Sequence, residues 1–223
     1  MNRRRLYLLL LFVFPAVLAG QNDDRKNLFL QYEARFPLID YPFIFSRDYD
    51  KMTKPGVYAE RLPEKEQQEF IYSQGLKPFA FFCSLDRFLG YRSYIKFPRK
   101  NNIHFFVVCP EIEPTCGDAS YLVTYSDSSY NLVDSLMVDA SGQIIDENQQ
   151  RKVIFIESIL TEDTIKVSRK ERLLPYKRLE DRDEYQTLYY DYIYEVNKES
   201  RFILLKEEKR EGLEYEFPKA LQR

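Results

Sequence analysis

The sequence predicts a mainly β protein: an antiparallel meander of about eight strands, a sandwich or a curved sheet, with a short helical N-terminal segment. Three observations predict it. From about Tyr91 onward the apolar and aromatic residues alternate at period two instead of recurring at helical spacing. The alternating runs come in pairs around short polar turns, and most gaps are too short for the dozen or more residues of a parallel crossover. Seventeen Phe and eighteen Tyr, with seven Gly and no Trp, suit half-buried sheet faces.

The elements follow in order. Arg3, Arg4 and Arg5 precede an uncharged, mostly apolar run from Leu6 to Leu18, and Val17 and Ala19 carry the side chains signal peptidase accepts. Thirteen residues make only ~20 Å of helix at ~1.5 Å per residue. A bilayer core is ~30 Å thick, so residues 1–20 read as a cleaved signal peptide and no transmembrane span is expected after cleavage. Residues 21–90 form an N-terminal segment with one or two helices packed on the sheet. In it, Leu28, Phe29, Tyr32 and Phe36 have helical spacing, Phe43-Ile44-Phe45 suits an edge strand, and Pro63 opens a second helix with acids in its first turn. Gly75 and Pro78 end that helix. Residues 91–223 form the antiparallel hairpin series of the same single domain. Its hairpins are Tyr91–Phe97 with Ile103–Cys109, Tyr121–Tyr125 with Leu132–Val138, Val153–Ile159 with Thr164–Val167, and Leu188–Val196 with Arg201–Leu205. Asp139–Asp146 reads as a connecting loop, because its Gly142 is misplaced for a calcium-binding EF loop.

Charge excludes one class of partner. Removing residues 1–20 takes three Arg and no acid from a chain with 33 Lys+Arg and 35 Asp+Glu, leaving −5. A nucleic-acid binder needs clustered excess cations, so no nucleic acid is expected. Gly-x-Ser-x-Gly, the P-loop pattern and His-Glu-x-x-His are absent. His104, the single histidine, lies on a predicted strand with no Ser or Cys signature beside it, so it reads as structural. Glu111 and Glu113 stand between prolines as solvated loop acids. No catalytic residue, metal site or cofactor is assigned. Tyr190, Tyr192 and Tyr194 share one face of a tyrosine-rich strand and form the candidate binding face. Cys109 and Cys116 bracket Pro110–Thr115, read as a strand-to-strand connection whose ends lie close, and are expected to form a disulfide in an oxidising compartment. Cys83 is left as a small buried hydrophobe.

Tyr121-Leu-Val-Thr-Tyr-Ser-Asp, Leu132-Val-Asp134-Ser-Leu, Ile159-Leu-Thr-Glu-Asp163-Thr-Ile-Lys-Val167 and Tyr194-Glu-Val-Asn with Arg201-Phe202 resemble the hairpin series of small exported proteins of Bacteroidota. The resemblance covers roughly residues 90–205. It departs at the turns, where Ser129 and Ser200 replace the usual Gly. It implies an all-β fold and an envelope location, and no activity. It also implies O-glycosylation at Ser135 and Thr164, each preceded by Asp and followed by an apolar residue.

These readings converge on an exported, non-catalytic protein of the periplasm, cell envelope or secreted space that binds or scaffolds, with another envelope protein or a glycan as partner. A hydrolase using His104 or dispersed carboxylates, and a carrier of an apolar ligand on a concave sheet face, are the rival expectations. N-terminal sequencing of the exported protein is expected to start at Gly20 or Gln21. Met1 retained on a membrane-bound chain contradicts this.

Overall fold

The computed structural model describes residues 23–46, 60–73, 88–112, 118–145, 150–174, 176–179 and 182–216. The expected signal peptide, Cys83 and Cys116 lie outside them. Helix α1 spans residues 23–34 and opens on Asp23 and Asp24, acids suited to the positive helix end. Its apolar spacing places Phe29 and Tyr32, with Phe36 just beyond, against the sheet, all buried. After Pro63, α2 (Glu64–Gln67) runs into a π-helical turn, Gln68–Tyr72, which buries Phe70 and Ile71. No helix among the described residues is long and apolar enough to cross a membrane.

The strands of the described residues form one open antiparallel sheet. The strands are β1 (Phe43–Phe45), β2 (Glu60–Arg61), β3 (Phe88–Lys100), β4 (Ile103–Ile112), β5 (Asp118–Ser126), β6 (Leu132–Ile145), β7 (Arg151–Leu160), β8 (Ile165–Leu173), β9 (Lys177–Arg178), β10 (Asp183–Val196) and β11 (Phe202–Glu216). Their order is β11-β10-β8-β7-β6-β5-β4-β3-β2, with β1 added to β7 and β9 to β10. The eight long strands are the expected meander. The β3–β4 turn is Asn101-Asn102, both at positive φ (52° and 61°), the conformation that a two-residue hairpin turn favours and Asn tolerates.

Two expected loops are strand instead. Asp139–Ile145 continues β6, because Ala140 and Ile144 still alternate inward while Ala140–Ile145 pair with Arg151–Ile156. Pro110–Ile112 continues β4, with Pro110 opposite Tyr91 and Ile112 opposite Phe88. The short connection that motivated a Cys109–Cys116 link therefore does not begin at Cys109. No disulfide is seen among the described residues, and Cys109 Sγ lies 3.3 Å from Ser120 Oγ on β5.

The two sheet edges differ. Along β3 the edge is covered. Lys96 exchanges backbone hydrogen bonds with Pro37 and Ile39, Leu62 N–H donates to Tyr91 O, and Gln67 Oε1 accepts the Tyr91 N–H at 2.8 Å. Gln67 also donates to Leu62 O and accepts from the Tyr72 hydroxyl, so a buried amide stands in for a missing strand. Gly90, at φ 130°, lets the chain pass it; an added Cβ would lie 2.7 Å from Gln67 Oε1. By contrast, β11 has no strand partner on its outer edge among the described residues, and its run of Lys206–Glu211 supplies the charges that discourage edge pairing.

The aromatic part of the core lies between α1, the π-helical turn and the β3–β5 part of the sheet, and the same buried cluster continues through Ala140, Ile154, Ile156, Leu160, Ile165 and Val167. Phe29, Tyr32, Phe36, Phe70, Phe106 and Tyr125 form a ring-on-ring cluster with centroids 4.7–6.0 Å apart. Its two buried hydroxyls are satisfied: Tyr125 donates to Phe70 O at 2.9 Å and shares a 3.1 Å hydrogen bond with Tyr32. Burial pushes both phenols up. Gly90→Ala is expected to lower stability by ~1–3 kcal/mol in urea unfolding, from backbone strain and the clash with Gln67. Gly212→Ala, whose Cβ would meet only Tyr189 at 3.5 Å, is expected to stay within ~0.5 kcal/mol of the parent. Equal effects would contradict the role given to Gly90.

Candidate functional site

Among the described residues the second half of the sheet has no helix over it, and it curls. β6 pairs with β5 from Leu132 to Ser141 but with β7 only from Ala140 onward. Past that point β1 takes the vacated edge of β7, at Ser158–Leu160. The freed first half of β6 meets the tip of the β10–β11 hairpin instead. Phe202 N–H donates to Asp134 Oδ2 at 2.9 Å, and Thr124 Oγ1 donates to Ser200 O at 2.5 Å. Strands far apart in sheet order are thereby drawn together.

The curl leaves an apolar groove of about 230 Å³ on the concave side. Leu136 and Met137 of β6 form one wall; Ile154 and Ile156 of β7 and Val167 of β8 form the floor; Tyr192 and Tyr194 of β10 form the other wall. Period-two alternation aims the β7, β8 and β10 side chains into it. Tyr190, Tyr192 and Tyr194 do share this face: Tyr190 and Tyr192 stack at 6.1 Å and 2°, and Tyr192 and Tyr194 are 6.1 Å apart. The row is half-buried, not displayed, and burial pushes the Tyr192 and Tyr194 hydroxyls up.

The floor becomes polar at one end. Glu171 is only 3% exposed, and it holds Lys152 Nζ at 3.1 Å and Arg169 Nη2 at 2.5 Å. The Arg169 guanidinium also lies 5.9 Å from the Tyr190 ring, whose other neighbour is Lys209 Nζ at 5.7 Å. Both cations stand directly opposite Tyr190 in the register. The sequence reading missed this triad and the aliphatic floor. The floor was legible as period-two alternation in Val153–Ile159; the triad was not, because Lys152 and Glu171 come together only through the β7–β8 pairing.

The opposite face carries a second cavity of about 440 Å³ between Phe155, Lys170, Arg172, Tyr189, Asp191 and Arg210. Its charged groups serve each other. Glu214 binds Lys170, Arg172 and the Tyr189 hydroxyl, and Ser168 donates to Asp191. Those donors hold the Glu214 carboxyl below its usual range against the opposing effect of burial.

His104 lies apart from the groove, 1% exposed, beneath α1. Its ring packs edge-on to Phe29 at 4.9 Å and parallel to Phe106 at 6.0 Å. Nε2 is 2.9 Å from Asp127 Oδ1, Nδ1 is 3.6 Å from Glu33 Oε1, and Arg99 bridges those two carboxylates. Lys96 also reaches Glu33, at 3.8 Å. This cluster ties α1 to β3, β4 and the β5–β6 turn. Among the described residues no group of His, Cys, Asp and Glu could hold a metal ion. Ser135 is half-buried within β6, opposite Val123. Thr164 sits in the β7–β8 turn with its hydroxyl 3.1 Å from Thr161 Oγ1. No protein family, curated protein or solved structure matches the chain.

Burial, with the Arg99 charge, lowers the His104 pKa below 6.5 and outweighs the carboxylates that raise it. The unfolded chain therefore binds this proton first as pH falls. The stability tied to neutral His104 is complete above about pH 6.5 and is lost below it, down to the folded-state pKa. Unfolding free energies from urea titrations between pH 7.5 and 5 are expected to fall by up to ~1.4 kcal/mol per pH unit. His104→Phe is expected to flatten that slope. An unchanged slope in the variant contradicts the assignment.

Proposed function

We propose that the mature chain is an exported, non-catalytic binding protein of the cell envelope, and that it holds the apolar part of a small ligand in the concave groove. The observation that carries this is the groove between Leu136, Met137, Ile154, Ile156, Val167, Tyr192 and Tyr194. Binding sites for small molecules are concave and mostly apolar, with a few polar groups fixing orientation. A protein partner needs ~800 Å² of accessible face, and the tyrosine row, half-buried in the groove wall, fits a narrow ligand better. His104, the group a hydrolase reading would use, lies outside the groove and is closed off by α1. The Arg-rich N-terminus with its apolar run supports the exported location.

The neutral dye N-phenyl-1-naphthylamine is expected to bind the purified mature protein saturably, one per chain, with rising fluorescence. Met137→Lys, which sets a charge in the half-buried wall, is expected to weaken binding at least tenfold. Leu213→Lys, on exposed β11, is expected to leave it unchanged. Urea midpoints confirm that both variants fold. No saturable binding, or loss only with Leu213→Lys, overturns the reading.

A further inference from the structure

Given that groove as the binding site, we propose that its ligand is a monoanionic amphiphile, a carboxylate on an alkyl chain, with the head group held at Arg169. The reading rests on the groove being a binding site and adds which end of it recognises charge. The chain would lie along the floor, and the head would reach the Lys152–Glu171–Arg169 triad.

Three observations favour a single negative charge there. First, the triad sums to one positive charge, because one buried carboxylate faces two cations. Lys209, across Tyr190, is 3.7 Å from Glu211 and so adds no net charge at that end, and Glu207, opposite Tyr192 on exposed β11, is a further acid along this wall. Second, Arg169 Nε is buried without a hydrogen-bond acceptor, while Nη2 is committed to Glu171. A guanidinium N–H shielded from water and left unbonded costs free energy that a ligand oxygen recovers. A carboxylate is a suitable acceptor, since guanidinium–carboxylate hydrogen bonds are about twice as strong as neutral ones. Third, the spacing fits. Arg169, Val167 and Ile165 face Tyr190, Tyr192 and Tyr194 in turn, so head group and chain end lie four residues apart. At ~3.3 Å per residue that is about 13 Å, the reach of a medium-length alkyl chain.

The test is displacement of N-phenyl-1-naphthylamine at pH 8 by three ligands of equal chain length: dodecanoate, 1-dodecanol and dodecylamine, each below its micelle concentration. Dodecanoate is expected to compete at least tenfold more strongly than dodecanol, and dodecylamine least. Arg169→Gln is expected to bring dodecanoate to the level of dodecanol and leave dodecanol unchanged, while Arg169→Lys keeps part of the preference. If dodecanoate and dodecanol compete equally in the parent protein, or dodecylamine competes best, the head-group assignment is overturned and the groove stands. If none displaces a bound dye, or no dye binds, the groove reading fails and takes this one with it. Should Arg169→Gln fail to fold, the comparison of the three ligands in the parent protein decides the matter.

Discussion

The carboxylate of Asp134 joins the two halves of this protein. One oxygen accepts the Ser135 N–H at 2.8 Å, and the other accepts the Phe202 N–H at 2.9 Å, 68 positions along the chain. Beside it, Thr124 reaches Ser200 O from β5. Hydrogen bonds to a charged acceptor contribute ~1.5–3 kcal/mol. Here they also set geometry. They hold the β10–β11 hairpin against the first half of β6, over the place where β7 leaves it. Ser200, at φ 66° and buried, makes the turn that presents its carbonyl to Thr124.

A sheet this large must cover its apolar face, and this one does so in two ways. Over β3–β5 the cover is α1 and the π-helical turn, through the aromatic cluster centred on Phe29 and Phe106. Aromatic pairs of this kind add ~0.5–1.5 kcal/mol beyond the area they bury. The His104–Asp127–Arg99–Glu33 cluster fixes the register of α1 on that surface. Over β6–β10 the sheet covers itself by curling. Curling buries Ile154, Ile156 and Val167 to 1–5% exposure, and the gap it leaves beside half-buried Leu136, Met137, Tyr192 and Tyr194 is the groove. The same strands thus provide a filled core at one end and an unfilled concavity at the other, with buried Glu171 marking the limit of the apolar floor.

Much of the fold was legible in the sequence. Period-two alternation marks all eight long strands, and polar turns separate most of them. The face shared by Tyr190, Tyr192 and Tyr194 follows from the same alternation. Misread places had local signals that pointed the wrong way. Asp139, Ser141 and Gly142 are turn-type residues, yet β6 carries them because Gly142 pairs with Ile154 and Ala140 with Ile156. Pro110 suggests a loop, yet it is tolerated in β4 opposite Tyr91. The charged stretch Glu207–Glu211 looks like a strand end, but β10 pairs with all of it. Asp134 read as a strand residue preceding Ser135, and its hydrogen bond depends on Phe202, which no local pattern connects to it. The site shows the same division: individual apolar residues were visible, whereas the groove and its charged end exist only after β6 and β10 meet.

Because the curl creates the groove, locating the ligand is the most direct test. With methyl-labelled mature protein, an NMR titration with dodecanoate reads out Met137, Ile154, Ile156 and Val167 individually. Saturable shifts in those methyls, with Leu204, Leu205 and Leu213 of β11 unmoved, are the predicted result. Shifts confined to the exposed β11 leucines, or no saturable shift at all, would contradict it.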